Sequence, residues 1–99
     1  MITFEQAQAI VAAELLPDWN SNLATFHVAD WGWQTDEYWM VPAGPREWLV
    51  EFEIGFMILD DEMYLVDKKT GEFIKTVAYR NTDLLRRMEP YGEIPQNFQ

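Results

Sequence analysis

Apolar residues in this chain pass from helical to strand-like spacing after residue 17, and that change limits the fold more than any other feature. Phe4, Ala7, Ile10, Val11 and Leu15 recur at helical intervals, whereas nearly everything from residue 23 to residue 78 reads as short runs of strand character broken by turn residues. Thr3 and Gln6 stand in the capping-box relation, so the predicted helix opens after Thr3, runs to about residue 16 and is stopped by Pro17. Glu5, Gln8 and Glu14 fall off the apolar stripe, which is built to lie on something greasy.

Residues 18–22 read as a connector. Residues 23–31 then predict a strand with Phe26 and Val28 on one side and Leu23, Thr25, His27 and Ala29 on the other. Trp31-Gly-Trp-Gln-Thr-Asp36 reads as a turn around Gly32, followed by a β-prone run over residues 38–41 that Pro42 closes and by a loop, Pro42-Ala-Gly-Pro45. Trp48, Val50, Phe52 and Ile54 alternate with Leu49, Glu51, Glu53 and Gly55, which predicts a strand with one apolar and one largely acidic face. The apolar run 56–59 fits helix or strand equally, and Asp60-Asp-Glu62 opens a turn. Residues 63–67 and 72–78 flank Lys68-Lys-Thr-Gly71, a hairpin signal in which Gly71 supplies a positive φ. Asn81 or Thr82 caps a short helix through residue 88, Pro90 and Gly92 end it, and residues 91–99 read as a loop or frayed end. The succession predicts one α+β domain over residues 1–99: an N-terminal amphipathic helix packed on a four- to five-stranded antiparallel sheet, with a short C-terminal helix.

Charge is unevenly placed. Residues 1–67 hold 13 acids and one base (−12), residues 68–99 hold six bases and four acids (+2), and the two sum to the net −10. Surplus charge opposes compaction, so it is better explained by solubility, partner choice or association rate than by folding, and it implies a positively charged partner. Seven Lys and Arg in so acidic a chain argue against a nucleic-acid ligand. No stretch has the 18 apolar residues of a membrane span, no signal-peptide pattern opens the chain, and cysteine is absent, so a cytoplasmic protein without disulfides is expected.

Candidate chemistry is sparse. One histidine, His27, one serine, Ser21, and no cysteine leave little for a nucleophilic triad. Asp60, Asp61 and Glu62, or Glu51 with Glu53, could form an acid–base pair or hold Mg²⁺ or Ca²⁺ only if their carboxylates converge, and neither a calcium-loop spacing nor a phosphate loop is present. No catalytic, cofactor-binding or metal-ligating residue is assigned. The aromatic residues point elsewhere: Trp31, Trp33, Trp39 and Trp48 fall within 18 residues. Trp48 leads its apolar register and is expected in the core, whereas Trp31 and Trp33 flank a glycine, so that at least one is expected at the surface. Exposed Trp beside Asp36 and Glu37 is the composition of a protein-binding hot spot.

The opening Met1-Ile-Thr-Phe-Glu-Gln-Ala, the run Tyr38-Trp-Met-Val41, the hairpin Tyr64-Leu-Val-Asp-Lys-Lys-Thr-Gly-Glu-Phe73 and the helix around Asp83-Leu-Leu85 together resemble the YrhB-like immunity protein 35 family of bacterial polymorphic toxin systems, over about residues 1–90. The resemblance implies a small cytoplasmic antidote that neutralises a cognate protein toxin by binding, with no catalytic residues to carry across. On this reading Trp31, Trp33, Asp36 and Glu37 contact the toxin, and Glu51, Glu53, Asp60, Asp61 and Glu62 steer it. The same resemblance permits a chaperone-like or general protein-binding module. A small carboxylate-based metal-dependent enzyme is the third possibility.

Overall fold

In the computed structural model, which describes residues 1–58 and 61–99, the first helix, α1 (Phe4–Leu15), starts as the capping box demands. Thr3 Oγ1 accepts from the Gln6 amide at 3.2 Å, and Gln6 Oε1 accepts from the Thr3 amide at 2.8 Å. Pro17 does not stop the coil at once; it is accommodated in one 3-10 turn, Leu16–Asp18, where its missing N–H costs nothing.

Seven short strands and two short helices follow: β1 (Phe26–Val28), β2 (Gly32–Gln34), β3 (Tyr38–Met40), β4 (Ala43–Pro45), α2 (Arg46–Leu49), β5 (Glu62–Asp67), β6 (Phe73–Val77), α3 (Thr82–Arg87) and β7 (Glu89–Tyr91). Five strands form an antiparallel sheet in the order β6-β5-β3-β2-β7, and β1 pairs antiparallel with β4 in a separate ribbon. The fold is α+β, with α1 packed on one face of the five-stranded sheet. Among the described residues no helix is long and apolar enough to cross a membrane.

Alternation along the strands sorts the core into two faces. Trp39 and Val66 meet Phe4, Ala7 and Val11 of α1, with Phe73 and Tyr91 packed alongside. The buried Trp39 indole donates to the Ile2 carbonyl at 2.8 Å, and Lys68 Nζ lies 4.2 Å over its ring while donating to Gln34 Oε1 at 2.8 Å. On the opposite face Met63 and Leu65 meet Leu84, with Tyr38, Met40, Ile74, Leu85 and Met88 around them. The β5–β6 hairpin closes as its sequence predicts: Asp67 Oδ1 accepts from the amides of Lys69 at 2.8 Å and Thr70 at 3.0 Å, and Gly71 takes φ 78°.

Four segments differ from their sequence reading, each for a tertiary reason. Residues 31–36 are not a turn: Gly32 to Gln34 is β2, and the turn falls after it, where Thr35 Oγ1 accepts from the amides of Glu37 and Tyr38 at 3.2 and 3.1 Å. Gly32 is there because β3 passes close behind it, a Cβ at that position lying 2.3 Å from the Met40 carbonyl oxygen. The loop read at residues 42–45 is largely strand β4, whose one partner among the described residues is β1, so Pro45 sits where the donor it lacks is not needed. Residues 48–55 are not a strand. They are the end of α2, a chain reversal in which Phe52 takes φ 57°, and a 3-10 turn, Ile54–Phe56. Trp48 and Phe52 come together across that reversal, the Phe52 amide donating to the Trp48 carbonyl at 3.2 Å and their rings meeting edge-on at 6.5 Å. The residues read as a frayed tail include Tyr91 of β7, the outermost strand, where Pro90 is tolerated, and Phe98, whose ring packs 4.9 Å from that of Trp31.

Candidate protein-docking surface

Helix α1 covers its face of the sheet, but the described residues cover the other face only in part. Leu84, Leu85 and Met88, in and just beyond α3, shield one flank, and Trp31, Trp48, Leu49 and Phe98 build a cluster at the other. Between them lie Trp33 and Met40, cross-strand partners on β2 and β3 whose side chains are only half-buried. Two recesses open from this pair. One, of about 320 Å³, is bounded by Trp48, Met57, Ile58 and Met63 as well as the pair itself. The other, of about 280 Å³, lies between the pair and Leu85 with Met88. A third hollow, of about 490 Å³, runs from Trp33 to Ile94 and Phe98.

Met57 and Ile58, 41% and 37% exposed, line the larger recess, and the segment that leads to them from Trp48 also exposes Val50 (39%), Ile54 (76%), Glu51 and Glu53. Glu62 lines the same recess, ion-paired with Lys75 at 3.5 Å, and the exposed Asp61 precedes it. From residue 47 to residue 67 the chain holds seven acids and no base. Apolar surface of this kind beside a mainly acidic segment is the composition of a docking site.

The predicted site residues are therefore divided. Trp31 is 5% exposed, packs edge-to-face on Trp33 at 5.8 Å and forms part of the wall of the larger recess, and Trp33 is the member of the pair that is more open to solvent. Trp48, expected in the core, is half-buried at the rim. Asp36 and Glu37 are exposed on the β2–β3 turn beside α3, where Glu37 pairs with Arg87 at 3.6 Å and Asp36 borders a polar hollow with Gln34, Thr35 and Glu89. They do not line the apolar recesses. Glu51 and Glu53 share no strand face and stand exposed in the segment between Trp48 and Met57; the exposed Asp61 precedes Glu62, which lines the larger recess, and Asp60 lies outside the described residues. Sequence reasoning passed over Met40, Met57, Met63, Met88 and Phe98. A signal was available, because four of the five methionines line these recesses, and Met is the residue of adaptable apolar surfaces.

The perturbed titratable groups belong to the framework. Partial burial, then the Arg46 guanidinium, holds the His27 imidazole below its ordinary value, opposed by Asp30. Glu47, held below its usual value by its own amide and that of Thr25, accepts from the Thr25 amide at 3.0 Å and ties α2 to the approach to β1. The amides of Thr70 and Lys69 do the same for Asp67. Among the described residues no three His, Cys, Asp or Glu side chains are grouped to hold a metal ion. Comparison with protein-family models, with curated proteins and with solved structures finds no match.

Proposed function

We propose that this protein acts by binding, as a cytoplasmic immunity protein that neutralises a cognate basic toxin without chemistry of its own. The observation that carries the reading is the sheet face that the described residues cover only in part: an apolar floor of Trp33, Met40 and Met63 beside Met57, Ile58 and Glu62, with Ile54, Glu51, Glu53 and Asp61 exposed in the adjoining segments. Aromatic and methionine anchors beside a mainly acidic segment suit a protein partner, and the acids would raise the encounter rate of a basic one. The ordered resemblance of residues 1–90 to immunity proteins supplies the kind of partner. The test is genetic and direct. The product of the neighbouring gene, expressed alone, is expected to arrest growth, and co-expression of this chain is expected to restore it. A neighbour that is harmless alone, or toxic regardless of this chain, would refute the antidote.

A second reading, a chaperone-like module, draws on the four methionines, since a re-packable surface suits many clients. It predicts that an unrelated unfolded protein is held as firmly as the neighbour's product.

A further inference from the structure

We propose that the partner enters this surface as a basic amphipathic helix, its apolar ridge seated in the two recesses on either side of Trp33 and Met40; the inference rests on the binding function just argued and names the element that is bound. Three observations select this occupant. First, the recesses lie on a sheet face, not at an edge. Trp33 and Met40 belong to β2 and β3, which have hydrogen-bonded neighbours on both sides, so the pair shared by the two recesses offers no free backbone for strand addition. Its side chains are what a partner meets there.

Second, the recesses are two, they adjoin at a shared pair of residues, and they measure about 320 and 280 Å³. A dry cavity of roughly 150 Å³ takes a benzene-sized group, so each has room for at least one large apolar side chain. Anchors one or two turns apart on a helix meet such a pair of recesses without bending. The methionine lining adapts to Leu, Ile or Phe alike.

Third, charge at the larger recess favours a cationic partner. Half of the residues around it, from Trp48 to Tyr64, come from the segment that holds seven acids and no base, and Glu62 stands in its wall. Arg86 and Arg87, between Leu85 and Met88 of the other recess, are already paired with Asp83 and Glu37, as Lys75 is with Glu62. Cations beside the anchor in the larger recess would therefore meet Glu62 and the exposed acids of the adjoining segments, Glu51, Glu53 and Asp61, whereas an acidic helix of equal hydrophobicity would be repelled.

The experiment uses two synthetic peptides with Leu at i, i+4, i+7 and i+11, one with Lys and one with Glu at the remaining charged positions, titrated into the full chain. Indole N–H and methionine methyl signals in NMR spectra locate the binding. The Lys peptide is expected to saturate, to move the Trp33 and Met40 signals, and to bind about tenfold or more tightly than the Glu peptide. The variant Met57→Glu/Ile58→Glu changes exposed residues only and is expected to keep its fold and lose about tenfold in Lys-peptide affinity; Glu51→Gln/Glu53→Gln/Asp61→Asn is expected to bind less tightly and with a flatter salt dependence. Equal binding of both peptides, signals moving only outside the recesses, or a second copy of the chain filling the recess at high concentration would each overturn the proposal. Toxin rescue is scored separately with the same variants. Rescue undiminished by Met57→Glu/Ile58→Glu refutes the helix-in-groove mode and leaves the antidote standing; peptide binding as described, with a harmless neighbour gene, refutes the antidote and leaves the groove standing.

Discussion

Gly32 is chosen for what lies behind it. A methyl group there would sit 2.3 Å from the Met40 carbonyl oxygen, and backbone in a paired strand cannot step aside as a flexible side chain can. Gly32→Ala is expected to destabilise the protein by about 3 kcal/mol, read from urea unfolding, and to disturb Met40 signals first; a loss under about 0.5 kcal/mol would mean that the strands separate easily. His27 gives a pH prediction whose sign follows from its lowered pKa. The folded protein resists the proton that the unfolded chain accepts near 6.5, so this contribution is complete above that pH, declines as pH falls from it toward the folded value, and then levels off. Thermal unfolding followed from pH 7.5 to 5.5 is expected to show that decline and His27→Gln to flatten it. Asp67 and Glu47, held below their usual values of 3.8 and 4.5, stay charged through that window, and their stabilisation is lost only in stronger acid.

At the level of elements, what could be read from sequence was what is decided locally. The capping box, the α1 stripe and the β5–β6 turn carry their instructions within a few residues, and Thr3→Ala is expected to cost about 1 kcal/mol in thermal unfolding by removing the acceptor for the Gln6 amide. The misread segments are decided by contacts distant in sequence. Gly32 looked like a turn because a strand glycine needed for a close neighbour is indistinguishable, from sequence, from one needed for a bend. Residues 48–55 looked like a strand because their alternation persists while Trp48, Phe52 and Phe98 gather into one aromatic cluster, with ring distances of 5.6 Å for Trp48–Phe98 and 5.7 Å for Phe52–Phe98. That cluster also explains the divided site. Phe98, in a stretch without periodicity, covers Trp31 and leaves Trp33 as the more open ring. The acids of residues 51–62 were legible as charge. Their neighbours Met57 and Ile58 were not, because an apolar run with no period gives no sign of which way it faces.

Across the whole molecule the net charge of −10 is scarcely offset internally, since the three ion pairs among the described residues, at 3.5 to 3.7 Å, are at or near the surface. Self-repulsion should outweigh them. Raising NaCl from about 10 mM to about 150 mM is expected to raise the unfolding temperature, and a fall would show that attraction between surface charges dominates. The edge-on contact of Trp31 with Trp33 has a spectroscopic consequence. Two indoles held 5.8 Å apart and 85° from coplanar couple their electronic transitions, and the resulting near- and far-ultraviolet dichroism depends on that one geometry. One ring is buried and the other is more open to solvent, so the molecule carries its own optical gauge: an occupant that tilts Trp33 rotates one oscillator against a fixed reference, and the change can be followed without any added dye.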